Sequence, residues 1–276
     1  MVAGTLILCG TPIGNLGDAA PRVAEALSSA AVVYAEDTRR SRVLLSALGV
    51  DRPIRSYFVG NERARSRELR DRLERGEVVA LVTDAGMPAV SDPGVSAVAA
   101  ARAAGATVTV VPGPSAVTVA LALSGMPADR FVFEGFLSRS GGDRSRRLAE
   151  IAVESRTVVL FSSPHRVETD LADLARTSGP ERQVFIGREL TKLHEEAWWG
   201  TLGAAADEWG RRSPQGEFTL VLAGTADREV SLDAGVAEVR RLVEEGVPAS
   251  EAVRRVADAT GVRRRSLYQA AITEDD

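Results

Sequence analysis

Short apolar, β-branched runs alternate with amphipathic stretches through residues 5–111, and that alternation restricts the fold more than any other feature of the chain. The runs fall at 5–9, 32–35, 54–58, 78–82 and 107–111, with helical patterns at 19–29, 40–48, 62–75 and 95–104 between them. Strands alternating with helices imply βαβ units, so the pattern predicts a mostly parallel sheet. After a predicted helix over 115–124, a second set of runs follows at 131–136, 157–161, 184–186, 197–202 and 218–222. Helices separate only some of these, which predicts a mixed sheet. A chain of 276 residues exceeds the usual size of one core. The predicted division is an α/β domain over 1–113, a second over 114–228 with a hinge near Pro112, and a helical tail over 233–276. In that tail a helix capped by Ser250 and a second helix after Gly261 fit a helix-turn-helix.

Composition excludes several classes of protein. Hydrophobic residues make up 45% and charged residues 26%, which places the chain among ordered globular proteins. The single cysteine, Cys9, has no partner for an internal disulfide and reads as a core residue, suiting a reducing, cytoplasmic setting. The sequence starts as a strand without a basic leader or cleavage site, so no secretory signal is expected. The uncharged stretch 106–128 has the length of a membrane span, but Pro112, Gly113 and Pro114 cut it into a strand and a helix. His165 and His194 are the only histidines, which leaves no zinc ligand set. The net charge of -4 argues against a basic coat, although a local patch is what RNA requires.

Three loops carry the candidate chemistry. The first, Gly10 to Asp18, follows the first strand, where a Gly-rich turn lets backbone N–H groups approach a ligand. Its glycine spacing matches neither nucleotide-binding template, and an ordinary strand-to-helix turn fits the spacing equally well; Asp18 is expected to cap the first helix. The second loop is Thr83-Asp84-Ala85-Gly86-Met87-Pro88-Ala89-Val90-Ser91-Asp92-Pro93-Gly94, where Asp92 and Pro93 also read as a helix start. The third is Pro112-Gly113-Pro114-Ser115-Ala116, which reads also as an inter-domain linker with Ser115 as helix cap. All three fall at the carboxyl edge of one predicted sheet, where open α/β folds bind ligands.

Those loops, together with Ala35-Glu36-Asp37-Thr38-Arg39, Glu134-Gly135-Phe136-Leu137 and Gly187-Arg188-Glu189-Leu190-Thr191-Lys192, resemble the tetrapyrrole-methylase superfamily. Within it they resemble the branch that acts on small-subunit ribosomal RNA. The resemblance runs in order along nearly the whole chain. It implies a two-domain class III methyltransferase fold, a homodimer, S-adenosylmethionine as cofactor, and 2'-O-methylation of a cytidine ribose in 16S ribosomal RNA or the 30S subunit. By the same resemblance the cofactor meets Thr11, Pro12, Gly14, Asn15 and Leu16, then Asp84, Ala85, Gly86, Met87, Val90, Ser91 and Asp92. Pro112, Pro114, Ser115 and Ala116 complete that side, with Phe161, Ser162 and Phe218 closing from the second domain. Two departures stand out: relatives usually carry Tyr-Glu where this chain has Ser162-Ser163, and often histidines where it has Phe58-Val59-Gly60.

A ribose hydroxyl is weakly acidic, so a base or a cation near it would assist transfer. Lys192, Glu189 and Asp37 are the leading catalytic candidates, followed by Glu36, Glu134 and His165. Lys192 is the only lysine of an arginine-rich chain, although a solvated loop cation would look the same, and Asp37 could equally pair with Arg39. RNA contact is expected at Arg39 and Arg40, at Arg139, Arg144, Arg146 and Arg147 on a mobile basic loop, and at Arg263, Arg264 and Arg265. Two other functions remain open on these residues: methylation of a tetrapyrrole or another non-RNA substrate, and DNA binding by the tail alone.

Overall fold

The computed structural model describes residues 4–225 and 232–272. Its first sheet contains β1 (Thr5–Cys9), β2 (Val32–Ala35), β3 (Ile54–Ser56), β4 (Val78–Val82) and β5 (Thr107–Val111), in the order β3-β2-β4-β1-β5. Every pairing in it is parallel. The connecting helices are α1 (Pro21–Ser29), α2 (Thr38–Ala47), α3 (Glu62–Glu74) and α4 (Val95–Ala103). All four residues of β2 are buried, as a strand covered on both faces requires, whereas edge strand β5 buries only Val111 of its five. Two apolar clusters result, one around Val33, Leu27 and Val82 and the other around Leu6, Leu69 and Leu81.

After α5 (Ala116–Ser124), the second sheet comprises β6 (Phe131–Phe136), β7 (Thr157–Ser162), β8 (Gln183–Arg188), β9 (Glu196–Thr201) and β10 (Phe218–Leu222), ordered β6-β7-β10-β8-β9. Only β6 and β7 run parallel; the other pairs are antiparallel, so the sheet is mixed. α6 (Gly141–Val153), α7 (Val167–Ser178) and α8 (Leu202–Gly210) cover one face, where Leu148, Leu171 and Trp209 pack on Val158 and Leu220. Against the other face lies α5. There Ile13, from the loop after β1, joins Val117, Leu121, Val159, Phe185 and Leu190 in one cluster. The first loop is thereby anchored in the core of the second sheet. A separate cluster of Val236, Val239, Val253, Val256 and Leu267 holds together α9 (Leu232–Glu244), α10 (Ala249–Thr260) and α11 (Arg264–Ile272). Gly261, at φ 72°, turns the chain between the last two helices.

Several local expectations are corrected. Residues 141–147 are not a loop but the start of α6, because Arg144, Leu148 and Ile151 form a buried stripe at helical spacing. Asp18 ends a short 3-10 turn and does not cap α1, whose first turn starts at Pro21 after Ala20. Asp92 does not cap α4: Gly94, at φ 147°, holds that position. In the tail α10 begins at Ala249, so Ser250 lies inside the helix and is not its cap. Strand β3 stops at Ser56, since Asn61 turns the chain by accepting from the Phe58 N–H at 2.9 Å.

Arg144 is also corrected as an RNA contact. Its side chain is 7% exposed and spans Asp170 at 2.8 Å and Asp173 at 2.7 Å. The Asp170 carboxylate, 5% exposed, further accepts from the Ser162 hydroxyl at 2.7 Å and pairs with Arg166 at 3.3 Å. Removing one partner of such a pair strands a charge in the interior, at a cost of about 3–5 kcal/mol. Arg144→Ala should therefore lower unfolding free energy by about that amount, read from the denaturant midpoint; an unchanged midpoint would refute the structural role.

Candidate functional site

Strands β4, β1 and β5 are neighbours and parallel, so the loops after them emerge side by side. They touch backbone to backbone. Thr11 and Gly86 exchange N–H···O bonds of 2.8 and 3.1 Å, and the buried Thr11 hydroxyl donates to the Thr83 carbonyl at 3.2 Å. A Cβ on Gly10 would stand 2.5 Å from the Gly113 nitrogen, so this approach of the first loop to the third admits only glycine. In the middle loop Gly86, Ala89 and Ser91 all have positive φ, at 78°, 69° and 61°. For Ala89 and Ser91 that conformation is strained, and such strain is concentrated at functional sites.

Between these loops and the second sheet lies a cleft of about 380 Å³. Ala85, Gly86, Met87, Val90, Ser91 and Asp92 line it from the middle loop, with Ile13 from the first and Ser115 and Ala116 from the start of α5. The second sheet contributes Phe136, Phe161, Ser162, Leu190 and Phe218. Phe161 is held edge-on by Phe133 at 5.0 Å and lies 5.5 Å from Phe136, which fixes an aromatic wall. Volume and lining match those of sites that enclose a small organic ligand.

Charge is unevenly distributed in this cleft. Glu36, Asp84, Asp92 and Glu217 line it against a single cation, Arg40. Burial, reinforced by Glu36, pushes the Asp92 carboxyl up to about 7, and burial with Asp84 nearby raises Glu36 as well. Asp84 has partners: it accepts from the Asp37 N–H at 2.9 Å and pairs with Arg40 at 3.5 Å. A pocket with excess carboxylate and aromatic walls suits a ligand carrying both a positive charge and a flat heterocycle.

A second cavity of about 310 Å³ adjoins the first, and Ile13, Arg40, Asp84, Ala85 and Glu217 line both. Thr11, Pro12, Gly14 and Leu16 from the first loop, Val43 and Leu44 from α2, and Lys192 complete it. The Lys192 Nζ donates to Glu189 at 2.8 Å and to Glu217 at 3.1 Å. Burial alone would lower its pKa, but these two hydrogen bonds outweigh that and raise it. Burial likewise pushes Glu189 up, yet the bond from Lys192 leaves its carboxyl below the usual range. Lys192 is thus held as a cation by two carboxylates, with Glu189 hydrogen-bonded to it. A Cβ on Gly14 would collide with the Lys192 side chain, so that glycine leaves room for the lysine.

The remaining sequence candidates are dispersed. Asp37 lines neither cavity: it caps α2 by accepting from the Arg39 N–H at 2.8 Å, and the hydrogen bonds from Arg39 hold its carboxyl far below the usual range. Asn15 caps the 3-10 turn through Gly17 at 2.9 Å, and Pro112 and Pro114 shape the third loop outside both linings. Ser162 lines the cleft but commits its hydroxyl to Asp170. Arg39, Arg139, Arg146, Arg147, Arg263, Arg264 and Arg265 are exposed, with Arg147 paired to Glu134 at 3.0 Å and Arg264 to Asp258 at 2.7 Å. Sequence reasoning missed Glu217, which faces both cavities from just before β10; its neighbour Phe218 was the only signal.

The family model described as Tetrapyrrole (Corrin/Porphyrin) Methylases matches residues 5–206, and the RsmI C-terminal HTH domain model matches residues 230–275. A protein of Synechocystis sp. named Ribosomal RNA small subunit methyltransferase I is 43% identical over 272 residues, covering 98% of each chain. A Mycobacterium tuberculosis protein of the same name is 45% identical over 99% of this chain and 96% of its own. Among solved structures, uroporphyrin-III C-methyl transferase from Thermus thermophilus, complexed with S-adenyl homocysteine, is similar with TM-score 0.58. It is 22% identical, with 80% of this chain and 97% of that chain covered, a likeness of fold.

The raised Asp92 pKa has a consequence for stability. The unfolded carboxyl ionises near the ordinary value of 3.8, whereas burial lets the folded one keep its proton to about 7. The folded state therefore binds more protons in that window, and the stabilisation present below pH 4 is lost as pH rises through about 7. Asp92→Asn should flatten the fall in Tm between pH 4 and 7, seen by thermal scans of both proteins; parallel curves would refute it.

Proposed function

Because this chain belongs to the tetrapyrrole (corrin/porphyrin) methylase family, and within it to the ribosomal RNA small subunit methyltransferase I group, we propose that it methylates 16S ribosomal RNA from S-adenosylmethionine. The acceptor is the 2'-hydroxyl of a cytidine in the decoding region of the 30S subunit. The observation that carries the reading is the acid-lined, aromatic-walled cleft where the three loops meet the second sheet. A sulfonium with an adenosyl group has the charge and the flat ring this lining accepts. Residues 1–113 and 114–228 act as the two walls, and 233–276 as an added RNA-binding module. The protein works in the cytoplasm as a homodimer.

The cofactor supplies an electrophilic methyl group when bound. In the transfer the C–S bond breaks, its electron pair stays on sulfur, an oxygen lone pair forms the new C–O bond, and the hydroxyl proton passes to water. The chain's task is mainly orientation, which can contribute roughly 7–11 kcal/mol. Phe161, Phe218 and Ile13 fix the adenosyl side and keep water from it, while Asp92 and Glu36 face the positive charge. Lys192, held protonated by Glu189 and Glu217, steadies negative charge developing on the acceptor oxygen. Exposed Arg39, Arg139, Arg146, Arg147 and Arg263 to Arg265 meet phosphates.

Labelled S-adenosylmethionine offered with 30S subunits, free 16S RNA or a tetrapyrrole tests this reading. Label is expected in RNA as an alkali-stable 2'-O-methylcytidine, and label in the tetrapyrrole alone would overturn it. Lys192→Ala is expected to lower kcat by about 10²-fold with cofactor affinity within about twofold; parental turnover would remove the lysine from the mechanism.

A further inference from the structure

We infer that the second cavity, beside Gly14 and Lys192, is the seat of the acceptor nucleotide, and that Asp84 and Glu217 form a charge-polarised partition between it and the methyl donor. The inference rests on the methyltransferase reading above and assigns its two substrates to two adjoining cavities. Five residues line both spaces, so the cavities share a wall. Two of the five are carboxylates, and each is paired with a cation that lines the second cavity: Asp84 with Arg40 at 3.5 Å, and Glu217 with Lys192 at 3.1 Å.

The two sides of this wall differ in charge. On the donor side Asp84 and Glu217 stand with Glu36 and Asp92, four carboxylates against Arg40. On the other side the same two carboxylates face Arg40 and Lys192 with no further acid in the lining. A sulfonium is favoured on the first side and a phosphate on the second. Arg40, with a 64% exposed side chain, is free to fork onto a phosphate flanking the ribose, and the less exposed Lys192, at 28%, sits where the ribose oxygen would approach. Val43, 62% exposed on α2, supplies an apolar rim for one unstacked base. The occupant is a single nucleotide withdrawn from its stack and read by shape and phosphate, since a stacked strand is too large for the space.

Three variants test the assignment by separating cofactor affinity, measured calorimetrically with S-adenosylmethionine, from transfer to 30S subunits. Val43→Trp, which fills the second cavity from its rim, should leave cofactor affinity within twofold while lowering transfer at least 100-fold. Arg40→Ala should raise the KM for the RNA substrate about tenfold and reduce the salt dependence of RNA binding by about one ion, with Arg40→Lys restoring part of it. Because it removes a cation from an acid-lined cleft, Arg40→Ala should bind the cofactor as tightly as the parent or more tightly. Retained cofactor binding shows in each case that the variant is folded. Weakened cofactor binding in Val43→Trp would place the donor in the second cavity, and parental transfer by Val43→Trp would show the cavity unused; both overturn the inference. If the parent itself fails to label RNA, the methyltransferase reading falls first, independently of the variants.

Discussion

The site depends on three loop backbones that touch one another, two of them where no side chain could fit. Gly10 meets Gly113, and Thr11 bridges to Gly86, because β4, β1 and β5 are adjacent and parallel and deliver their loops to one edge. Ile13 then extends from the first loop into the apolar cluster of the second sheet. A single short segment therefore ties both sheets and borders both cavities. The strain at Ala89 and Ser91 is tolerated because the loops flanking them are pinned by these contacts.

That scaffold leaves a charge pattern that only a ligand completes. Burial, reinforced by neighbouring carboxylates in one cleft, raises the cost of ionising Asp92 and Glu36. A chain selected for stability alone would have paired these acids, as it does elsewhere: Asp170, more deeply buried, is bound by Arg144, Arg166 and Ser162. The contrast between a buried acid paired with two arginines and cleft acids raised by burial distinguishes framework from candidate site. Two acids of the cleft do have partners, and those partners are the cations that face the other cavity.

Much of this was legible in the sequence, for identifiable reasons. Strand and helix periodicity located eight of the ten strands among the described residues to within a residue at each end, since packed faces impose periods of 2 and 3.6 that survive in composition. β3 was overextended because the buried aromatic Tyr57 leaves the ladder at the Asn61 turn, and β8 was cut short because Gly187 and Arg188 carry no apolar signal although both pair in the ladder. Helix starts were read less well. Asp18, Asp92 and Ser250 all have the chemistry of a cap, yet Ala20, Gly94 and Pro248 occupy those positions, because tertiary contacts decide where the first turn begins. Arg144 misled in the same way: among neighbouring arginines nothing local marks the one that turns inward.

Ser162 shows how a departure in sequence becomes a specific physical arrangement. A residue at the end of β7 must cover the cleft floor and also meet the buried carboxylate of Asp170 on α7. Serine does both: its hydroxyl donates 2.7 Å inward while its small side chain leaves the adjacent wall to Phe161. Asp170 in turn receives Arg166, whose other nitrogen reaches the Arg139 carbonyl at 3.0 Å. The exposed basic turn before α6 is thus connected through three hydrogen-bonded side chains to the lining of the cleft. An ordered path of this kind keeps the position of Arg139 tied to that of the cleft wall, so an arginine expected to meet phosphate is held by the same interior ion pairs that hold the floor in shape.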